Sequence, residues 1–180
     1  GNVTIDGEKV GGIAGSADTL GSLISGCENH GLIKGNKHTA GIVGIIFGSI
    51  KDCKNYGEIN GANECGAICG KLWADEATAA KVTNVENHGL VKISGWGGGL
   101  FGNTGNVTVT NAINKGNVEI SNSAVGGIVG YAFAGSIFVN CDNYGTITGK
   151  TEIGGLVFLY NGSFTDCDNY GEIIITDCNG

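Results

Sequence analysis

The chain has 180 residues with 35 Gly, no Pro, no Met and 7 Cys, and it carries a formal net charge of −7 with only 10 Lys plus Arg. That acidic balance argues against a nucleic acid or an anionic membrane surface as partner. No apolar run approaches membrane-spanning length and no signal peptide is visible, while the glycines lack the three-residue period of collagen.

One pair of signals recurs throughout. The first is Asn-x-Gly, at Asn29, Asn55, Asn87, Asn114, Asn143 and Asn169, with spacings of 26, 32, 27, 29 and 26 residues. The second is a small-small pair before Ile or Leu: Gly11-Gly12-Ile13, Ala40-Gly41-Ile42, Gly66-Ala67-Ile68, Gly98-Gly99-Leu100, Gly126-Gly127-Ile128 and Gly154-Gly155-Leu156. From each Asn to the second small residue that follows is 12 or 13 residues, whereas the return to the next Asn varies from 14 to 20. A fixed period in this range marks a repeat array whose single unit is too short to close a core. The unit holds short runs of Ile, Val, Thr and Phe broken by Gly, Asn and Asp, which read as strands. The expected fold is all-β: a β-solenoid of about six stacked coils with a mean period of 28 residues, forming one repeat domain over 1–180.

In chain order, residues 1–15 begin in mid-coil, because Gly1-Asn2-Val3-Thr4-Ile5 matches Gly116-Asn117-Val118-Glu119-Ile120. Regular coils follow over 16–44 and 45–70. The next variable half is the longest, and residues 71–83 are expected to leave the solenoid as an insertion, its Ala-rich piece from Trp73 to Lys81 forming a short helix or loop. Residues 84–102 resume the pattern with Trp96 ahead of the glycines. Two more coils occupy 103–130 and 131–158, and Gly180 falls in the phase of Gly154. Neither end offers a cap of helix, Pro or charge, so the chain is expected to be an excerpt of a longer array or a subunit stacking head to tail.

Stacking turns each repeat position into a column of residues about 4.8 Å apart. Four residues after the Asn stand Ile33, Ile59, Val91, Val118, Ile147 and Ile173; five before it stand Ile24, Ile50, Val82, Val109, Phe138 and Phe164; two before it stand Cys27, Cys53, Val85, Ala112, Cys141 and Cys167. All three columns are interior. The invariant Asn is expected to form a ladder in which each side-chain amide bonds its neighbours above and below. The Gly two residues on supplies a positive φ or a close approach of the next coil. The cysteines read as buried free thiols, since parallel Cβ vectors on stacked strands suit a disulfide poorly.

The second signal continues as Gly12-Ile13-Ala14-Gly15, Gly41-Ile42-Val43-Gly44, Gly99-Leu100-Phe101-Gly102 and Gly127-Ile128-Val129-Gly130. It resembles the GLUG motif repeat, named for Gly-Leu-hydrophobic-Gly, which occurs in large bacterial surface proteins and beside some secreted immunoglobulin-A metallopeptidases. Ala67 and Phe158 depart from the pattern. The resemblance implies an extracellular or cell-surface, adhesin-like repeat segment without an active site of its own, and the His-Glu-x-x-His zinc signature of those peptidases is absent.

Candidate chemistry is thin. Asp166-Cys167-Asp168-Asn169 looks like part of a calcium loop, but Lys54 occupies the same column, which argues against one. Cys69 falls in the apolar slot of Val43 and Val129, which removes Cys65 and Cys69 as a metal pair. His30, His38 and His88 lack an acidic or Cys partner at motif spacing, so no catalytic residue, metal or cofactor is assigned. The middle residues of the six triplets, His30, Tyr56, His88, Lys115, Tyr144 and Tyr170, form an aromatic and basic stripe. Either its rings stack on one another and cover a corner, or they offer a surface to a sugar or a protein partner. Trp73 and Trp96 are candidate protruding contacts. The expected role is a structural or adhesive spacer; a carbohydrate-binding module and a stacking filament subunit are the alternatives.

Overall fold

The computed structural model describes residues 1–75 and 80–176. It is an all-β solenoid of about six coils with a period of about 28 residues. Every strand pairing among the described residues is parallel, coil on coil, with register shifts only between Ile93 and Gly97, between Ala132 and Ser136 and between Ala17 and Ser22, and the repeat columns are the pairing partners. Ile33 pairs with Ile59, Ile59 with Val91, Val91 with Val118, Val118 with Ile147 and Ile147 with Ile173. The column five before the Asn runs likewise from Ile24 through Ile50, Val82, Val109 and Phe138 to Phe164.

Each coil contributes one strand after its Asn-x-Gly (Ile59–Cys65, Val91–Gly98, Val118–Ile120) and a longer stretch leading to the next Asn. That stretch is one bent strand in Val43–Asn55 and Val129–Asn143; of the two coils between, one divides it into Cys69–Trp73 and Ala80–Asn87 and the other into Phe101–Gly105 and Val107–Asn114. The interior divides accordingly. A larger apolar cluster includes Ile46, Leu72, Phe101, Val109 and Phe138, and a smaller one collects Ile33, Ile59, Val91, Val118 and Ile147 under the other wall.

The bend has a residue-level cause. Ile50 and Cys53 both point inward, yet they stand three apart, and strict alternation would put them on opposite faces. Asp52 between them has φ 52°, and this left-handed residue turns the chain so that both side chains reach the core. The same column holds Gly26, Asn84, Asn111, Asn140 and Asp166, all at positive φ. Gly, Asn and Asp are the residues that tolerate this region. The acidic sequence around Asp166 is thus part of a bend column shared by all six units.

The long unit is less of an insertion than its length suggests. Cys69–Trp73 is a wall strand paired with Phe101–Gly105, and Ala80–Asn87 is another, paired with Val107–Asn114. Leu72, Ala74, Ala80 and Val82 are buried at alternate positions on either side of the gap. Residues 71–83 therefore do not leave the solenoid as a block: Trp73 belongs to the wall, and the central part of the expected helix or loop, 76–79, lies outside the described residues.

Candidate functional site

The buried Asn column is the most continuous polar feature of the molecule. Nδ2 of Asn29 donates to Oδ1 of Asn55 at 2.7 Å, Asn55 to Asn87 at 2.9 Å, Asn87 to Asn114 at 2.8 Å, Asn114 to Asn143 at 2.7 Å and Asn143 to Asn169 at 2.7 Å. The second amide proton of each Asn goes to the carbonyl of the glycine two residues later, at 2.8–3.0 Å. Both donors of Asn29, Asn55, Asn87, Asn114 and Asn143 are thereby used, and every ladder bond runs in the same direction along the axis. Asn55, Asn87, Asn114 and Asn143 are fully buried, so no water competes for these groups.

The glycines explain why the ladder fits. None of the Asn-x-Gly glycines has positive φ; they serve close approach. A Cβ on Gly116 would lie 1.9 Å from the carbonyl oxygen of Gly89, and one on Gly145 would lie 2.0 Å from that of Gly116. The small-small pair packs against the ladder. A Cβ on Gly41 would meet Oδ1 of Asn55 at 2.2 Å, and one on Gly127 would meet Cγ of Asn143 at 2.6 Å. The two recurring signals of the sequence are thus the two sides of one contact. The last glycine of the second motif has its own reason: Gly44, Gly70 and Gly102 lie against the backbone of His38 and Glu64, two residues held at φ 53° and 54°.

A second ladder, on the exposed bend column, runs the opposite way. Nδ2 of Asn84 donates to Asp52 at 2.9 Å, Asn111 to Asn84 at 3.1 Å, and Asn140 to Asn111 at 2.7 Å.

The stripe is brought together as one column. His30, Tyr56 and His88 stack with centroids 4.8 Å apart, and Tyr144 stacks on Tyr170 at 4.8 Å, with Lys115 between the two stacks. The rings cover one another's faces and turn their edges to solvent, so the column offers little flat surface within each stack. The histidines are not without acids. His30 meets Glu28 at 3.0 Å and His88 meets Glu86 at 2.9 Å, each two residues back on the same side of the strand. Tyr170 donates from its hydroxyl to Asp168 at 3.1 Å.

Glu86 is the electrostatic centre of this stripe, held by Lys115 at 3.0 Å, His88 at 2.9 Å and Lys54 at 3.4 Å. The Lys115 hydrogen bond, with those partners, lowers its carboxyl to about 2, from an ordinary 4.5. A depressed carboxyl contributes stability above its unfolded value that is lost as pH falls toward its folded one. Glu86→Gln is therefore expected to cost about 1 kcal/mol at pH 7 and low salt, a figure set by exposed pairs. The difference between wild type and variant should shrink between pH 4.5 and 2, which urea titrations at pH 7, 4 and 2 would read.

His38, expected to lack a partner, sits in the one buried charged cluster among the described residues. Its Nε2 lies 2.9 Å from Oε2 of Glu64, which also accepts from Nδ2 of Asn103, while Lys37 holds Oε1 at 2.9 Å. These residues come from three different coils, and no spacing within one unit could reveal them. Burial lowers the His38 pKa, so the ring is neutral at pH 7; burial raises that of Glu64, but Lys37 and His38 outweigh it and the net shift is downward. Nδ1 of His38 and Oδ1 of Asn103 are buried without a partner.

Trp73 and Trp96 are half-buried in outward positions. Trp96 meets Tyr131 edge-on with centroids 4.4 Å apart, and Trp73 meets Phe133 at 5.4 Å. The six described cysteines are free thiols, with Cys178 outside the described residues. Burial pushes the Cys65 thiol up to about 11 and that of Cys141 to about 12. Cys65 belongs to the smaller core cluster and Cys69 to the larger, so the two do not converge on a metal. No group of three or more His, Cys, Asp or Glu suited to a metal occurs among the described residues.

Comparisons with protein-family models, with curated proteins and with solved structures give no match. What is defined is the class of the fold, a parallel β-solenoid with a buried Asn ladder.

Proposed function

We propose that this chain is a structural or adhesive repeat segment of a bacterial cell-surface or secreted protein, acting as a stiff spacer whose outer columns face partners. The observation that carries the reading is the unbroken ladder from Asn29 to Asn169, which ties every coil to the next by the same side-chain bond, buried in all but its last rung. Such a core fixes length and direction while the outward positions stay free to vary, as they do along His30, Tyr56, His88 and Lys115. The resemblance of the glycine motif to GLUG repeats supports the extracellular setting. Apolar side chains of interior columns are exposed on both outermost coils, Ile13 at 47% and Ile173 at 41% among them, where Ile42 and Ile147 of inner coils are fully buried. They suit continuation of the stack, by further coils or by copies arranged head to tail.

The reading makes length modular. Deleting residues 88–114, one whole coil, joins Asn87 to Lys115 in phase and should leave a folded protein shortened by one coil spacing of about 4.8 Å. Circular dichroism and small-angle scattering would read both quantities. An unfolded deletion variant, or turnover of a polysaccharide by the intact chain, would overturn the spacer reading.

A further inference from the structure

The corner that holds His38 is closed by side chains where the strand pairing skips a residue. Asn63 pairs with Trp96 and Cys65 with Gly97, so Glu64 between them faces no partner in the following strand. Asn103 fills the place, donating from Nδ2 to Oε2 of Glu64. From the preceding coil Nε2 of His38 meets the same oxygen at 2.9 Å, and Lys37 holds Oε1 at 2.9 Å. One buried carboxylate thus joins three coils. The glycines of the second motif leave it no slack: a Cβ on Gly70 would lie 2.6 Å from Cα of His38, and one on Gly102 would lie 2.3 Å from the carbonyl carbon of Glu64. The ring has no way to turn aside without moving the neighbouring wall.

The same geometry decides where a proton goes. Nε2 faces an ionised carboxylate and carries the ring's hydrogen, while Nδ1 is buried without a partner. A proton added at Nδ1 becomes a buried donor with no acceptor, and it brings a positive charge into the corner. The charged groups around the ring are Glu64 in the following coil, Lys37 beside it, Lys71 on the wall strand Cys69–Trp73, and Lys9, which precedes it in the same left-handed column. Burial, aided by Lys37 and Lys71, outweighs the attraction of Glu64 and lowers the ring's pKa below 6.5. We propose that His38, Glu64 and Asn103 form an acid-released latch: a proton taken from solvent by Nδ1 of His38 opens this corner, while the Asn ladder keeps the coils stacked. The latch stands whether or not the chain is a spacer, because it depends on this cluster alone.

A histidine whose folded pKa is depressed stabilises the closed form above 6.5, and that contribution is lost as pH falls from 6.5 to the folded value. The carboxyl of Glu64 is held below 4.5, so it stays largely charged at both pH 7.5 and pH 5. Backbone amide exchange on the intact chain, corrected for the intrinsic effect of pH, would read the corner at those two values. Protection of the amides that bond across it, Val10 to His38 and His38 to Asn63, should fall about tenfold for each pH unit between 6.5 and the folded pKa. Protection of Val118, bonded to Thr146 in the far coils, should not change. Titration of the ring by NMR should place His38 below 6.5, its neutral form carrying hydrogen on Nε2. His38→Asn, which suits the left-handed backbone (φ 53°) and does not titrate, should remove the pH effect, whereas His30→Gln with His88→Gln should keep it. Circular dichroism would confirm that each variant is folded, and the titration and wild-type exchange stand without any variant. Equal corner protection at both pH values, a folded His38 pKa at or above 6.5, a loss that persists in His38→Asn, or an equal loss at Val118 would each overturn the latch.

Discussion

Asn114→Ala is expected to be among the most destabilising single substitutions in this molecule. The side chain donates to Gly116 at 3.0 Å and to Asn143 at 2.7 Å, and it accepts from Asn87 at 2.8 Å. Alanine leaves one donor and two acceptors buried without partners, and each such group costs about 1–3 kcal/mol. The sum is on the order of several kcal/mol, a large share of the stability of a domain this size. Asn111→Gly is the control, because it removes a rung of the exposed ladder at the same coil while keeping the left-handed backbone (φ 56°). Water replaces those bonds, and the cost should stay below about 1 kcal/mol. Urea unfolding of the two variants would read the difference. Equal midpoints would remove the buried ladder from the explanation of stability.

Gly116→Ala should cost at least as much as a typical overpacked core, about 3 kcal/mol or more. The new methyl would sit 1.9 Å from the Gly89 carbonyl oxygen and 2.6 Å from Nδ2 of Asn87. The nearest atom is backbone and cannot swing aside, so the two coils must separate, and the ladder bond between Asn87 and Asn114 stretches with them. Gly21→Ala provides the contrast. Gly21 has φ 79° and nothing within 4 Å of its added Cβ, so the change costs only the left-handed strain of about 1–2 kcal/mol. A larger loss at Gly21 than at Gly116 would mean that these glycines serve backbone conformation rather than coil spacing.

The columns were readable in the sequence because a stacked repeat writes its contacts into one dimension: residues at equal phase are neighbours, and like chemistry at equal phase marks an interior strand. Ile33 and Ile59, or Val109 and Phe138, required no more than counting. The relations between phases were not readable. Nothing in the spacing says that Gly41 faces the amide of Asn55, since 14 residues separate them around the turn of a coil whose shape was unknown. The left-handed column was hidden by its residue types, because Asp52, Asn84 and Asp166 also suit an acidic surface loop. The signal that could have found it was parity: two interior columns three residues apart demand a bend between them. The cluster of His38, Glu64 and Asn103 draws one residue from each of three coils; His38 and Glu64 share a phase, but Asn103 stands at another, so a search within the unit could not assemble it. The long unit misled for a related reason. Its length was visible, but the burial of Leu72, Ala74, Ala80 and Val82 on both sides of 75–79 was not.

Buried side-chain amides, bonded in one direction from coil to coil, hold this solenoid together. Hydrogen exchange of the Asn side-chain NH₂ groups, followed by NMR on the intact chain, tests it directly. The Nδ2 protons of Asn55, Asn87, Asn114 and Asn143 are expected to exchange only through opening of the stack, far more slowly than those of the exposed rungs Asn84, Asn111 and Asn140. Exchange of both sets at the same rate would mean that the buried amides do not hold the coils together.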